Sequence, residues 1–128
     1  MNFLLVFIGG GIGSLIRYLI GLGFQKTNLT LPVSTLVSNI IACIIFAVTL
    51  NFIENISVEN TAKNITSSQY RLLVLTGLCG GLSTFSSFGF ETFLLLKQHN
   101  YLWVLINIIL SLTLCIGSFI LVKKVNGF

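Results

Sequence analysis

The stretch TGLCGGLSTFSSFGFE, residues 76–91, packs four glycines, five hydroxyl side chains, three phenylalanines and a glutamate into a chain that is otherwise apolar. Each glycine inside a helix forfeits about 1 kcal/mol of propensity relative to alanine, and serines and threonines compete for backbone hydrogen bonds. An unbroken helix is therefore not expected here. In a bilayer, non-helical backbone persists only where protein buries it or where it lines a cavity, so the segment is expected to unwind at its glycines and to carry function.

The surrounding sequence supplies the bilayer. Its 128 residues are 55% hydrophobic and 8% charged, with a mean hydropathy of +1.00, whereas soluble domains carry about a quarter charged residues. Apolar runs near the span length of about 20 residues occur at Phe3–Phe24, Pro32–Ile53, Arg71–Leu96 and Tyr101–Val122. The expected fold is an all-α membrane protein: four transmembrane helices in one domain, residues 1–128, with the third helix broken mid-membrane. The connections, Gln25–Leu31, Glu54–Tyr70 and Lys97–Asn100, are polar and too small to hold a soluble active site or a nucleic-acid interface. The formal net charge of +4 accordingly reads as attraction to anionic lipid. The first apolar run has neither the basic start nor the small-residue cleavage site of a signal peptide and reads as a permanent helix. Cys43, Cys79 and Cys115 fall within spans, are odd in number and have no CxxC or histidine partner, so they read as small structural residues rather than as a disulfide or zinc framework.

Four spans put both ends of the chain on one side. That side carries Lys63, Arg71, Lys123 and Lys124, and the other carries Lys26 and Lys97, with Arg17 deeper in a span. So slight a bias permits insertion in either orientation, and two oppositely inserted copies would form an antiparallel pair.

Each span has a polar or small face. In the first, Gly9, Gly13, Arg17 and Gly21 recur every four residues, with Gly10 and Ser14 beside them, the pattern that lets helices approach closely in lipid. Arginine within hydrocarbon costs roughly 2.5–3.5 kcal/mol unless it finds a partner, a wet cavity or the interface. In the second span Thr35, Ser38, Asn39, Ala42, Phe46 and Thr49 share a face, on which Asn39 either cross-links helices or lines a pore. In the fourth, Asn107, Ser111 and Ser118 align, with Cys115 adjacent. In the third, Phe85 and Phe88 stand beside Ser86 and Ser87; aromatic ring edges carry partial positive charge and can flank an anion. Glu91 follows. Counted along the helices at about 1.5 Å per residue, Arg17 and Glu91 fall at similar depth, so the two are expected to pair, directly or through water, within or across subunits.

Three segments, GGGIGSLIRY (residues 9–18), PVSTLVSN (residues 32–39) and GLCGGLSTFSSFGFE (residues 77–91), resemble in order and spacing the motifs of the Fluc (CrcB-type) fluoride channels. The resemblance implies a fluoride-selective channel of the cell membrane that exports toxic cytoplasmic fluoride by passive electrodiffusion. It further implies two pores at the interface of an antiparallel, dual-topology homodimer, or of a heterodimer with a related subunit. By motif, Asn39 is the pore asparagine, Phe85 and Phe88 turn ring edges to the ion, and Thr35, Ser86, Ser87 and Ser111 add hydroxyls. Arg17 and Glu91 match vestibule charges. Gly80 and Ser83 match the positions whose backbone carbonyls hold a structural sodium ion (Na+). Asn107 and Cys115 depart from the family's usual residues, which leaves the helix-four half of the track open. The alternatives are a small four-helix multidrug/proton antiporter, which would need a carboxylate in the first span where this chain has Arg17, and a non-transporting assembly subunit. An enzyme is not expected, since His99 stands alone in a turn without a nucleophile or metal partner.

Overall fold

Apolar side chains point outward along every long helix, as they must where the solvent is hydrocarbon. Phe3 is 90% exposed, and the most apolar window of the first helix is only 11% buried inside the protein. The computed structural model describes residues 1–25, 31–57 and 63–125. Lys26 and the centre of the expected 54–70 connection lie outside the described residues.

Every regular element among the described residues is a helix, and none of them forms a strand. Helix α1 (Asn2–Phe24) is followed by α2 (Val33–Ser57), whose first turn opens with the Pro32 carbonyl accepting the Leu36 N–H at 3.2 Å. Proline is tolerated there because that position has no intrahelical donor to lose. Helix α3 (Lys63–Tyr70) runs into a π-helical stretch (Arg71–Cys79), then α4 (Gly80–Leu82) and α5 (Phe85–Lys97). Helix α6 (Tyr101–Val125) ends the described chain. Four segments are long and apolar enough to cross a membrane: Asn2–Phe24, Val33–Glu54, Ser67–Lys97 and Tyr101–Val125. The connection expected at Glu54–Tyr70 is thus helical at both ends, because α2 runs on to Ser57 and α3 begins at Lys63. The turn between α5 and α6 is closed by His99 N–H on the Leu96 carbonyl and Asn100 N–H on the Leu95 carbonyl, with His99 in the left-handed region at φ 58°. This paired pattern satisfies carbonyls that the helix end would otherwise orphan.

Helix α1 packs chiefly on the π-helical stretch and α4, and α2 lies between α1 and α6. The first contact is backbone on backbone. A methyl group on Gly9 would collide with the Leu73 carbonyl, one on Gly13 with the Leu78 carbonyl, and one on Gly81 with the Gly10 carbonyl. Gly21, expected on the same stripe, meets nothing within 4 Å. The second contact is bulkier, with Phe46 of α2 edge-on to Phe119 of α6 at 5.9 Å between ring centres.

The helix breaks at Ser83 (φ −75°, ψ 153°) and Thr84 (φ −151°, ψ 112°), both extended. The glycines are not the site of unwinding, contrary to the sequence expectation. Gly77, Gly80 and Gly81 remain helical, and at Gly77 and Gly81 the missing Cβ is what admits α1. Close packing recovers the propensity that glycine forfeits.

Candidate functional site

Breaking a helix strands backbone groups on both sides of the gap, and in an apolar setting each needs a partner. In an unbroken helix the Thr84 N–H would bond the Gly80 carbonyl. Here it donates to Asn39 Oδ1 at 2.7 Å, while Asn39 Nδ2 donates to the Thr84 carbonyl at 3.4 Å. The Gly81 carbonyl, which would take the Phe85 N–H, instead accepts from Arg17 Nε at 3.1 Å. A cation suits this place, since a helix C-terminus carries partial negative charge. On the far side, Thr84 is the N-cap of α5, its hydroxyl oxygen accepting the Ser87 N–H at 3.2 Å. The same hydroxyl donates to Ser87 Oγ at 3.0 Å and lies 3.2 Å from Ser86 Oγ.

Two cavities flank the break and share Thr84 as a wall. The larger, about 420 Å³, is lined by Arg17, Thr35, Ser38, Ser87 and Glu91 among others. It holds one charge of each sign, but the two do not pair within the chain. Arg17 is committed to the Gly81 carbonyl, and Glu91 Oε1 accepts from Thr35 Oγ1 at 2.6 Å. Glu91 Oε2 is buried with no hydrogen-bond partner. The expected direct Arg17–Glu91 pair is therefore absent within one subunit: similar depth brought the side chains to one cavity, and nearer backbone and hydroxyl groups took their hydrogen bonds.

The smaller cavity, about 230 Å³, is lined by Asn39, Phe85, Phe88 and Ser111, with Cys43, Cys115 and Ser83. The rings of Phe85 and Phe88 are 5.9 Å apart, centre to centre, and tilted by 40°. Phe85 is 85% exposed on the outer face of the chain. Ser111, by contrast, is buried on α6. Cys115 joins this wall and Asn107 does not. Asn107, 2% exposed, donates from Nδ2 to Thr92 Oγ1 at 3.0 Å, and Thr92 in turn donates to the Phe88 carbonyl at 2.7 Å. Its amide braces α5 against α6 behind the phenylalanines.

Three candidates remain, Ser86, Gly80 and Ser83, of which Ser83 lines the smaller cavity. Ser86 is exposed and lines neither cavity. Gly80 and Ser83 are exposed. A sodium ion takes oxygen donors, as hard cations do, and the Gly80 carbonyl fits, because the break diverts the N–H it would otherwise accept. Among the described residues no group of three or more His, Cys, Asp or Glu side chains is placed to hold a metal.

Thr84 was not singled out by sequence reasoning, although a threonine immediately before FSSF has the form of an N-cap. Cys43 gave no signal at all, since only the packing of α2 on α6 brings it to Cys115.

The sequence profile described as CrcB-like protein, Camphor Resistance (CrcB), matches residues 4–122. The chain belongs to the CrcB family. CrcB relatives include the fluoride-specific ion channel FluC 1 of Yersinia pestis, 37% identical over 125 residues that cover 94% of this chain and 93% of the relative. The fluoride-specific ion channel FluC of Escherichia coli K12 is 35% identical, covering 91% of this chain and 84% of the relative. That of Methanococcus maripaludis is 32% identical, covering 98% and 95%. With four helices of spanning length and apolarity, this CrcB chain is a multi-pass membrane protein.

Proposed function

We propose that the chain is the subunit of a fluoride-selective channel in the cell membrane, working as an antiparallel dual-topology homodimer. The observation that carries the reading is the meeting of two cavities at Thr84, with hydroxyls, Arg17 and Glu91 in one and the Asn39 amide, the Ser111 hydroxyl and two tilted phenylalanine rings in the other. Family membership supplies the ion, since the relatives are named for fluoride.

Fluoride is small and strongly hydrated, so a selective path replaces its water with donors while holding it weakly enough to leave. The Arg17 and Glu91 cavity is the vestibule, in which Arg17 supplies positive potential and Thr35 and Ser87 supply hydroxyls. Beyond Thr84, the free N–H of the Asn39 amide, the Ser111 hydroxyl and the edges of Phe85 and Phe88 take over. Movement is passive electrodiffusion, with no bond made or broken. In this reading Ser83 and Thr84 lie mid-membrane. Phe85 is exposed on the single chain because a second copy, inserted oppositely, completes two pores. The carbonyls of Gly80 and Ser83 from each copy hold a structural sodium ion, whose charge draws the two broken helices together.

The purified chain, reconstituted into liposomes loaded with potassium fluoride, tests the proposal with a fluoride electrode. Fluoride efflux that starts only when a potassium ionophore relieves the membrane potential, with chloride retained, is expected. Silence, or exchange driven only by a pH gradient, would overturn it.

A further inference from the structure

Cys43 of α2 and Cys115 of α6 stand together in the wall of the smaller cavity, each half-buried. Cys79, the remaining cysteine, is buried on the π-helical stretch and does not line that cavity. We propose that Cys43 and Cys115 form a two-thiol binding site for a soft, thiophilic metal cation of the Hg(II), Ag(I) or Cu(I) class. Donor type and donor number both select this class. Thiolate sulfur is a soft ligand and favours soft cations over hard ones. Zinc takes four ligands as a rule, whereas no group of three or more His, Cys, Asp or Glu is assembled among the described residues. Two sulfurs alone suit ions that accept linear two-coordination. No charged side chain lines the cavity, so its neutral state carries both protons. Binding forms two metal–sulfur bonds as two S–H bonds break, releasing two protons with no change in oxidation state. With Hg(II) the product is neutral, which an apolar wall accepts.

The site also sits beside Asn39, Phe85 and Phe88. If those residues conduct fluoride, a metal held between Cys43 and Cys115 obstructs them; this consequence rests on the channel reading, whereas the binding does not.

The experiment separates the two. The purified chain in fluoride-free detergent is titrated with mercuric ion, and the remaining thiols are counted with a chromogenic disulfide after unfolding. The first equivalent is expected to remove two of the three thiols without joining two chains. In Cys43→Ser and in Cys115→Ser it is expected to remove only one. One thiol lost per equivalent in the native chain, a mercury-bridged pair of chains, or a two-thiol loss that survives in either serine variant overturns the site. The native count needs no variant to fold. In liposomes, one equivalent is expected to abolish fluoride efflux by the native chain and to leave each serine variant at its own rate before mercury. A chain that loses two thiols but never carried fluoride refutes the channel and leaves the metal site standing; one that carries fluoride but fails the thiol count refutes the site alone.

Discussion

The side-chain amide of Asn39 lies against the backbone of Thr84 as one peptide group lies against another. Oδ1 accepts the Thr84 N–H at 2.7 Å and Nδ2 faces the Thr84 carbonyl at 3.4 Å. A residue of α2 thereby supplies the bonds that the interrupted helix cannot. Asn39→Ala strands a buried donor and is expected to destabilise the fold by about 1–3 kcal/mol, read as a lower melting temperature of the purified protein. Fluoride efflux is expected to fall with it. Native melting in the alanine variant would show that the break holds itself open.

The α1 contact admits no side chain at its centre. At Gly13 a methyl would strike the Leu78 carbonyl, a backbone atom that cannot rotate away, while at Gly11 nothing lies within 4 Å. Gly13→Ala is therefore expected to destabilise by about 1–3 kcal/mol. Gly11→Ala should be neutral or stabilising by up to about 1 kcal/mol through helix propensity. Thermal melting of the two variants side by side checks the contrast, and equal shifts would refute it.

Thr84 caps α5 through its hydroxyl. Thr84→Ser keeps that oxygen and is expected to melt within a degree or two of the parent, given that capping is worth about 1 kcal/mol. Thr84→Val keeps the shape but loses the cap and its contacts with Ser86 and Ser87. It is expected to melt lower and to conduct fluoride more slowly than the serine variant, as parallel melting and efflux measurements would register.

Arg17 and Glu91 look like a pair in sequence and make no direct bond within one subunit. Arg17 holds the Gly81 carbonyl, and Glu91 takes the Thr35 hydroxyl. Exchanging them, Arg17→Glu with Glu91→Arg, is expected to give no recovery over either single change when assembly is followed by size-exclusion chromatography. Thr35→Val leaves the carboxylate with neither oxygen bonded, since Oε2 already has no partner, and should destabilise by about 1–3 kcal/mol. Recovery in the exchange, or a silent Thr35→Val, would restore the pairing idea.

Much of the architecture was legible because a bilayer constrains sequence so strongly. Only apolar stretches of sufficient length can form the four spans, and Gly9 and Gly13 announce a close contact by their spacing and size, whereas Gly77 and Gly81, which read as a place of unwinding, form the other half of that contact. Helical periodicity also put Asn39, Ser111, Phe85 and Phe88 on definable faces. It could not say which faces meet. Asn107 and Ser111 share a face of α6, yet one braces Thr92 while the other lines a cavity.

Sequence alone determined that the chain spans a membrane, how often, and that residues 76–91 would not form a regular helix. Tertiary structure decided where that helix opens. Glycine propensity pointed to residues 77–81, but those backbones are held helical by contact with α1, and the interruption moved to Ser83 and Thr84, where Asn39 and Arg17 wait with partners. Local preference states what a segment forfeits by being helical, whereas the position of a break depends on which neighbours can satisfy the groups it exposes. Those neighbours lie on α1 and α2, far away in sequence.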